Sequence, residues 1–506
     1  MSVAYDAMVT IFNAFRYHAG PAYHHTDGDL SYLELFDNAS TLASSLREHG
    51  PDPVMIYGHK SRAYLVAYWA CILAGRTFIP IESDNPLSRV STIATQSGAT
   101  LLLNTTTTSL SPALSISTQS VSLDTTLSSS EREQVATQWR TQAATFDDHG
   151  TMYMMFSSGT TGAPKGIRVS YANTADFIDW ITNAFPLEGA ISGNIRYCFD
   201  VSLYELWLAW LHGQPISSLD HRDMVKTRLA IERHRQHGTT TWVSTPSMTA
   251  YYLKDRQFSA ETLPALSRFI FCGEVLPKPL VEALQRQFPQ ATIINTYGPT
   301  ECTVAVTSIE ILSHHLADPR PLPIGRVRPN SQIVIAPDTQ EILIEGASVG
   351  NGYLGAQDEQ NRKFVTLMSP RRRRYHTGDL GQLEGDTLYF LGRADREIKM
   401  QGYRVDLNVI EKALHSLPDV EEAFVEPWFR KGQIQALRAF VKAPLALADC
   451  ADSLATQLPP YIVPKFWYAI ETDQLNLNSK LDRGSVVEHA LKQGEYFVFH
   501  YDPVHC

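Results

Sequence analysis

The chain contains the stretch Tyr153-Met-Met-Phe-Ser-Ser-Gly-Thr-Thr-Gly-Ala-Pro-Lys-Gly166, in which a short apolar run is followed at once by a loop rich in hydroxyl groups and glycine. The apolar residues predict a buried strand, and the glycines and proline prevent the loop from continuing it or starting a helix cleanly. Such a loop suits phosphate, because its N–H groups can converge on an anion while Lys165 supplies a mobile positive charge. The spacing differs from that of P-loop NTPases. A surface turn is the alternative interpretation.

Length and composition predict a soluble globular protein of two or three packed units. The chain has 506 residues, of which 44% are hydrophobic and 10% aromatic, enough for a large core. It carries 43 Lys and Arg against 53 Asp and Glu, a formal charge of -10. This balance argues against a general binder of nucleic acid or anionic membranes, so we expect small-molecule partners or a specific protein.

Cysteine usage and the lack of long apolar runs favour a cytoplasmic location. The six cysteines show no Cys-x-x-Cys spacing, which indicates neither a disulfide framework nor a zinc site. We also find no basic-then-apolar leader and no apolar run near the ~20 residues that span a bilayer. We therefore expect no membrane insertion.

Helix and strand patterns alternate through the first three hundred residues, which predicts layered, mostly parallel sheets. Predicted helices cover residues 36–49, 64–73, 171–185 and 204–213, and predicted strands cover residues 77–81, 100–103, 239–246, 268–274 and 292–297. The Ser/Thr-rich residues 104–130 are interpreted as exposed connecting chain.

Two positions in this part suggest ligand chemistry. Asp200 stands among apolar residues, where a carboxylate is costly unless it meets a cation, with a helix N-cap as the alternative. The loop Gly298-Pro-Thr-Glu-Cys-Thr303 follows a predicted strand, at the sheet edge where open α/β sheets bind ligands. Together with the loop before Gly166, it suggests one nucleotide site.

The later part of the chain changes character. Short strands at residues 342–346, 352–354, 375–380 and 388–392, joined by glycine turns, predict a small antiparallel barrel. A helix at 408–417 and strands at 422–426 and 434–441 predict a compact α+β unit. We therefore place the domains at residues 1–395 and 396–506. The run Arg371-Arg-Arg-Arg374 is interpreted as a solvated loop, with a site for a phosphorylated partner as the alternative.

Six motifs in this order resemble the core motifs of the adenylate-forming superfamily: Ser157-Ser-Gly-Thr-Thr-Gly-Ala-Pro-Lys-Gly166, Asn295-Thr-Tyr-Gly-Pro-Thr-Glu301, Tyr375-His-Thr-Gly-Asp379, Gly392-Arg-Ala-Asp395, Lys399-Met-Gln-Gly-Tyr-Arg404 and Asn478-Ser-Lys480. The resemblance covers most of the chain. It implies an α/β fold with a large N-terminal domain of layered βα sheets, a small β-barrel part and a smaller mobile C-terminal α+β domain. Within the superfamily, four segments most resemble the D-alanine:D-alanyl carrier protein ligases: Met55-Ile-Tyr-Gly-His59, Thr245-Pro-Ser247, Phe271-Cys-Gly-Glu-Val-Leu-Pro277 and residues 295–308.

The resemblance implies ATP-dependent activation of an amino acid as aminoacyl-AMP. A site for this reaction gathers several anions and therefore needs cations and backbone donors. By resemblance, Ser158, Thr161 and Lys165 bind the β- and γ-phosphates, Tyr297 stacks on adenine, Thr300 binds the α-phosphate, Glu301 binds Mg²⁺, Asp379 and Arg393 bind the ribose, and Lys480 bridges substrate carboxylate and phosphate. Gly162, Asn295, Thr296 and Gly298 complete the nucleotide site. Lys480, Lys165 and Thr300 are the implied catalytic residues.

The resemblance also implies the amino-acid pocket. Asp200 would hold the ammonium group, and the remaining pocket residues would be Val201, Tyr204, Val243, Ile270, Cys272, Gly273, Thr296, Val304 and Ala305. Their mostly small or medium apolar side chains favour a small substrate, and we expect D-alanine. Cys272 resembles the residue that chooses between D- and L-alanine, although a buried cysteine is more often a small hydrophobe.

This sequence departs from the family pattern at His376, Glu397 and Ser479, which bear on rate or closure, and at Tyr204, which bears on the substrate. The acceptor of the activated amino acid is expected to be a separate carrier protein with a phosphopantetheine thiol. Asp395 is the expected hinge between the two half-reactions. The alternatives are an adenylation enzyme for another amino acid in peptide natural-product synthesis and a non-catalytic relative. An acyl-CoA synthetase is disfavoured, because a fatty acid offers no ammonium group to Asp200.

Overall fold

The structure is a computed structural model that describes residues 3–108, 110, 114, 116–158, 164–355, 359–368, 371–400, 402–430, 433–470 and 483–499. Within these residues the α-helices are α1 (Val3–Ala14), α2 (Tyr32–Glu48), α3 (Arg62–Ala74), α4 (Leu87–Ser97), α5 (Ser129–Ala143), α6 (Tyr171–Ala184), α7 (Ser202–His212), α8 (His221–Met224), α9 (Thr227–Gln236), α10 (Pro246–Tyr252), α11 (Lys278–Gln287), α12 (Ser313–Ala317), α13 (Leu407–His415), α14 (Leu447–Ala455) and α15 (Arg483–Gln493).

The strands are β1 (Pro21–His25), β2 (Gly28–Ser31), β3 (Val54–Tyr57), β4 (Phe78–Ile81), β5 (Leu101–Asn104), β6 (Ser117–Ser120), β7 (Thr151–Ser158), β8 (Pro164–Ser170), β9 (Ala190–Gly193), β10 (Ile216–Ser218), β11 (Thr239–Ser244), β12 (Arg268–Phe271), β13 (Thr292–Tyr297), β14 (Thr307–Glu310), β15 (Arg326–Val327), β16 (Ser331–Ile335), β17 (Glu341–Gly346), β18 (Gly352–Tyr353), β19 (Phe364–Met368), β20 (Arg371–Glu384), β21 (Thr387–Arg393), β22 (Glu397–Met400), β23 (Tyr403–Asp406), β24 (Glu422–Arg430), β25 (Gln433–Lys442), β26 (Phe466–Ala469) and β27 (Phe497–Val498).

The chain divides into two compact units. The first comprises Met1–Ser83, Ser91–Phe156 and Lys165–Ala394, and the second comprises Asp84–Val90, Ser157–Pro164 and Asp395–Cys506. The second unit thus takes two short pieces from the earlier chain. The functional domains at 1–395 and 396–506, and the hinge between them, stay predictions.

A nine-stranded sheet carries the strands that lead to the candidate site, in the order β15-β14-β13-β12-β11-β9-β10-β1-β2. β11, β12 and β13 pair in parallel, with Val243 opposite Ile270 and Ile270 opposite Ile294. Their apolar side chains are largely buried, as expected of parallel strands covered on both faces. Parallel pairing brings the carboxyl ends of the three strands to one edge, where the predicted site residues follow.

A seven-stranded sheet has the order β18-β8-β7-β4-β3-β5-β6. It corrects two predictions. β6 lies within the residues interpreted as connecting chain, where it pairs in parallel with β5. β18, predicted for the small barrel, instead pairs antiparallel with β8 in this sheet, with Tyr353 opposite Ile167. Both differences are matters of long-range pairing, which short segments do not encode by themselves.

The remaining predicted barrel strands form a five-stranded antiparallel sheet. β16, β17, β20 and β19 pair in that order, and β21 pairs with β20. Among the described strands this pairing is an open path with no closed ring. The interpretation of Arg371–Arg374 as a loop is wrong, because these residues begin β20. Since side chains two apart share a face of a strand, Arg372 and Arg374 both pair with the buried Glu345.

Aromatic side chains dominate the core of the first unit. α3 is apolar all round, and residues 63–73 within it are all buried, as expected of a helix enclosed by other elements. The rings of Trp69, Trp207 and Trp210 form a tryptophan cluster with centroids 4.9 to 5.5 Å apart.

α2 begins with a capping box, in which the side chains of Ser31 and Glu34 each bond to the backbone N–H of the other residue.

The second unit is an α+β arrangement, as predicted. β24, β25, β26 and β27 form a four-stranded sheet, and β22 pairs with β23. Glu411 on α13 accepts hydrogen bonds from the guanidinium groups of Arg396 at 2.7 Å and Arg483 at 3.0 Å, and from the Val425 N–H at 2.8 Å. This carboxylate therefore ties the helix to the sheet. None of the helices within the described ranges is long and apolar enough to cross a membrane.

Candidate nucleotide and substrate site

Tyr297 and Asp379 meet at the end of β13. The Tyr297 hydroxyl donates a hydrogen bond to Asp379 Oδ2 at 2.6 Å, and Arg393 donates to Asp379 Oδ1 at 2.5 Å. Burial, reinforced by the Asp379 charge, raises the pKa of Tyr297 well above its usual range, so the hydroxyl stays protonated and able to donate. An ionised carboxylate offers about four lone pairs. Asp379 can therefore still accept a ribose hydroxyl.

The loop after β13 folds back tightly. A Cβ placed on Gly298 would lie 2.4 Å from the Ala305 Cα, so only glycine fits there. Thr303 and Val304 adopt φ values of 59° and 69°, which are outliers for β-branched residues. Strain of this kind persists where the surroundings over-determine the backbone, often at functional sites. Thr300 lies half-buried at the start of this strained loop.

Glu301 and Lys165 contact the same side chain, that of Tyr353. The Tyr353 hydroxyl donates to Glu301 Oε1 at 2.7 Å, and the Lys165 Nζ lies 3.9 Å from the centroid of the Tyr353 ring. Glu301 is fully buried and Lys165 is 8% exposed. Lys165 lies in β8 and not in the predicted loop, because Pro164–Ser170 forms a strand. The structure therefore places Lys165 and Glu301 against the same tyrosine side chain.

Glu301 fits Mg²⁺ by its donor chemistry. Among the described residues, no group of three or more His, Cys, Asp or Glu side chains is placed to enclose a metal ion. Mg²⁺ commonly binds through one or two carboxylates together with substrate phosphates rather than in an all-protein cage. A single carboxylate that shares a neighbour with Lys165, the predicted phosphate ligand, is consistent with that mode.

Asp200 is 5% exposed and its Oδ2 accepts a hydrogen bond from the Val304 N–H at 3.1 Å. The N-cap alternative is wrong, since Val201 and not Asp200 is the N-cap residue of α7. The Cys272 Sγ lies 3.9 Å from the Val304 carbonyl oxygen. Val304 therefore joins Asp200 and Cys272, which are 72 positions apart in sequence, at one place.

The other predicted pocket residues lie around this point or support it. Val243 and Ile270 are neighbours in the sheet, and Ala305 is buried. The Thr296 hydroxyl donates to the Phe271 carbonyl oxygen at 2.8 Å, and the Asn295 side chain donates to the Pro323 carbonyl oxygen at 2.8 Å, so both hold the backbone of the site. Gly273 has a φ of 93°. Val201 packs against the core.

Tyr204 is fully buried on α7. Its ring packs edge-on against Phe177 and Phe185, with centroids 5.1 and 5.8 Å away. Burial raises its pKa well above the usual range, so the hydroxyl stays protonated. The side chain is therefore a rigid aromatic wall with one polar atom.

Several predicted residues lie outside the described residues: Thr161, Gly162, Ser479, Lys480 and the Ser158 side chain. Of the other departures from the family pattern, His376 Nδ1 lies 3.2 Å from Glu341 Oε2, and Glu397 accepts from Arg404 Nε at 2.7 Å. Asp395 Oδ1 accepts from the Glu397 N–H at 3.1 Å.

Sequence reasoning missed two buried ionisable residues, Lys60 and Glu205, that bind the segment before Asp200. Lys60 Nζ donates to the Gly193 carbonyl oxygen at 2.6 Å, while Glu205 accepts from the N–H groups of Asn194 at 2.7 Å and Ile195 at 3.1 Å. Burial lowers the pKa of Lys60 to about 8 and raises that of Glu205 to about 8. The two residues hold the start of the segment that leads to Asp200. The sequence signal was His59-Lys60, which follows the buried strand β3 after one glycine.

Comparison with known proteins gives the family. The AMP-binding enzyme family matches residues 13–354, more than half of the chain. The D-alanine–D-alanyl carrier protein ligase of Bacillus licheniformis is 34% identical over 494 residues, which cover 92% of this chain and 96% of that protein. The enzyme of the same name from Bacillus velezensis is 31% identical, with 93% of this chain and 96% of that protein covered.

Solved structures agree on the fold. A Vibrio cholerae adenylation domain in complex with glycyl-adenosine-5'-phosphate superposes with a TM-score of 0.83 at 24% identity, covering 97% of this chain and 98% of that one. At that identity the likeness shows the fold alone. The family match and the two relatives carry the assignment further: the chain belongs to the AMP-binding enzyme family and is an ATP-dependent ligase.

Proposed function

We propose that the chain activates D-alanine as D-alanyl-AMP and then transfers the D-alanyl group to the phosphopantetheine thiol of a separate carrier protein. Relatives at 31 to 34% identity over almost the whole chain carry the name of this activity. The observation that supports it most is the convergence of Asp200 and Cys272 on Val304, beyond the carboxyl ends of β11 to β13.

Asp200 would bind the substrate ammonium group. Asp200 is buried, and a buried carboxylate gains from a cation placed beside it. Cys272, Val304 and Ala305 would then face the α-carbon, and their small or medium side chains would favour a small substrate side chain such as a methyl group. Tyr204 would close the far side of the pocket as an aromatic wall.

In the first half-reaction, a substrate carboxylate oxygen attacks the α-phosphorus of ATP and the bond to pyrophosphate breaks. Lys165 would bind the departing phosphates, Thr300 the α-phosphate, and Asp379 with Arg393 the ribose. Mg²⁺ held by Glu301 would neutralise charge on the phosphate oxygens. Lys480 would bridge the two reacting groups. In the second half-reaction the thiol sulfur attacks the acyl carbon and AMP leaves.

The test is amino-acid-dependent exchange of pyrophosphate into ATP, measured with D- and L-alanine, glycine, D-serine and several larger amino acids. We expect the largest kcat/KM for D-alanine. Asp200→Asn should lose exchange by on the order of 10²-fold or more, since it removes the charge that pairs with the ammonium group. Asp386→Asn on an exposed hairpin turn is the matched control and should behave as the wild type.

Preference of the wild type for L-alanine, or for a larger or hydroxylated amino acid, would overturn the D-alanine assignment while leaving amino-acid activation in place. That result would favour an adenylation enzyme for another amino acid. The second half-reaction is tested separately by incubating the wild type with a purified carrier protein. Mass spectrometry then measures the mass added to the carrier protein.

A further inference from the structure

Tyr353 contacts two charged residues, Lys165 and Glu301. The proposed function assigns a different ligand to each of them. Its ring faces the Lys165 ammonium at 3.9 Å, and its hydroxyl donates to Glu301 Oε1 at 2.7 Å. The Tyr353 side chain is fully buried. One rigid side chain therefore joins a proposed phosphate ligand to a proposed metal ligand.

The pairing of β18 with β8 explains the contact with Lys165. Tyr353 lies directly opposite Ile167 in an antiparallel pair. Lys165 is two residues before Ile167, so its side chain projects from the same face of the strand. Diagonal neighbours of this kind lie within reach of aromatic and long side chains. The Leu354 N–H also donates to the Gly166 carbonyl oxygen at 2.8 Å, which holds the chain after β18 beside the start of β8.

The neighbours of Tyr353 fix the direction of its ring. The Tyr353 N–H donates to Asn361 Oδ1 at 2.7 Å, and the Phe364 ring packs edge-on with its centroid 5.1 Å away. Tyr375 brings its hydroxyl to 3.1 Å from the Tyr353 hydroxyl. With two torsions held by packing, the ring face and the hydroxyl have one available orientation each.

A tyrosine suits both neighbours chemically. The face of an aromatic ring attracts an ammonium group, and the attraction is strongest where water is excluded. A hydroxyl donor to an ionised carboxylate makes a charge-assisted hydrogen bond. Phenylalanine would keep the first interaction and lose the second, and leucine would lose both.

We propose that Tyr353 is a positioning residue that holds Glu301 and Lys165 at a fixed separation, so that the metal ion and the β- and γ-phosphates are bound as one unit. This inference rests on the proposed roles of Glu301 and Lys165. Partners behind a metal ligand commonly change metal affinity by 10- to 100-fold when removed. Tyr353 would act in that way on Glu301, and through its ring on Lys165.

The experiment measures ATP binding to the full chain by calorimetry, with and without Mg²⁺ and in the absence of any amino acid. For Tyr353→Phe we expect the Mg²⁺ concentration that gives half-maximal tightening of ATP binding to rise about tenfold. ATP affinity without Mg²⁺ should stay as in the wild type. Tyr353→Leu should raise the Mg²⁺ requirement equally and also weaken ATP binding without Mg²⁺, since Lys165 loses the ring.

Tyr171→Phe is the matched control, because it removes a buried hydroxyl that donates to the Ile72 carbonyl oxygen on another part of the fold. It should leave both measurements unchanged. Asn361→Ala provides a second route that leaves the buried ring intact: it removes the acceptor of the Tyr353 N–H and should raise the Mg²⁺ requirement in the same direction by a smaller factor. Unchanged Mg²⁺ dependence in folded Tyr353→Phe and Asn361→Ala would overturn the proposal. No amino acid enters the binding assay, so failure of the D-alanine assignment does not affect this result.

Discussion

Val304 contacts two residues of the proposed substrate site. Its N–H contacts Asp200 and its carbonyl oxygen faces the Cys272 sulfur. Its φ of 69° turns both groups toward these partners, an orientation that ordinary strand backbone would not give. If Asp200 holds the substrate ammonium and Lys480 the carboxylate, as proposed, D- and L-alanine differ only in which substituent of the α-carbon meets Val304 and Cys272.

Cys272→Ala should relax the preference for D-alanine over L-alanine. Mis-seating one methyl group is worth about 1 to 3 kcal/mol, so we expect the ratio of kcat/KM for the two enantiomers to fall by roughly tenfold or more. Pyrophosphate exchange with each enantiomer measures the ratio. Cys71→Ala, a buried cysteine on α3, is the control. A ratio that does not change would remove Cys272 from the choice of enantiomer.

Lys480→Ala should abolish adenylation and spare thioester formation from supplied D-alanyl-AMP. The motif around Lys480 and the need for a cation at the reacting oxygens carry this prediction. Losing such a preorganised group costs on the order of 10² to 10³ in rate. Single-turnover assays of each half-reaction measure the effect. Near-normal pyrophosphate exchange by the variant would contradict the assignment.

At the scale of elements, α9 packs a buried histidine against β11. His234 Nδ1 lies 3.0 Å from the Thr239 hydroxyl oxygen, and its ring meets the Trp242 ring with centroids 5.0 Å apart. Burial, aided by the neighbouring His237, Lys60 and Arg233, lowers the pKa of His234 to about 3. The imidazole therefore stays neutral in the folded protein well below the pH at which it is protonated in the unfolded chain.

The free energy of unfolding should consequently fall as the pH drops below about 6.5, the ordinary histidine pKa. Between there and the folded pKa, the unfolded chain binds a proton that the folded chain does not, at about 1.4 kcal/mol per pH unit for one group. Urea unfolding from pH 7 to pH 5 should show a shallower pH slope for His234→Leu than for the wild type. His149→Leu at an exposed position should keep the wild-type slope. Equal slopes for all three would contradict the prediction.

The sequence predicts an element well when the residues of that element carry the pattern themselves, and poorly when the element depends on pairing with a distant segment. β13 is predicted at residues 292–297 and observed at Thr292–Tyr297, because an apolar strand ends at a Gly-Pro turn. β6 was missed, since Ser117-Thr-Gln-Ser120 has no apolar alternation and becomes a strand only by pairing with β5. The motifs identify Lys165 and Glu301 singly. Their common contact with Tyr353 depends on the pairing of β18 with β8, and a strand of two residues is too short for its pairing to be predicted from sequence.

At the scale of the whole molecule, the chain forms two compact units, and the second begins its long segment at Asp395. The two proposed half-reactions need different groups at one place, so we expect the second unit to move between them. Only a few element-terminal residues need change conformation in such a motion. Asp395 precedes β22, and we predict that it is the hinge residue of this motion.

Asp395→Pro should slow thioester transfer more than adenylation, because proline fixes φ and restricts the residue before it. Rapid-mixing assays that follow pyrophosphate release and carrier loading separately measure the two steps. Ala446→Pro is the control in the same unit, since its φ of -63° already suits proline. If both steps slow equally in a folded Asp395→Pro protein, the hinge lies elsewhere.

The tryptophan cluster of Trp69, Trp207 and Trp210 gives the first unit an optical signature. Indole rings whose centroids lie 4.9 to 5.5 Å apart couple their electronic transitions and exchange excitation energy before they emit. The far-ultraviolet circular dichroism should therefore carry an exciton couplet that vanishes when α3 and α7 separate. Trp428 and Trp467 belong to the second unit, so their emission reports a different part of the molecule. The unlabelled protein thus carries an internal reporter of the first unit, so that the melting of this unit can be measured separately from that of the second.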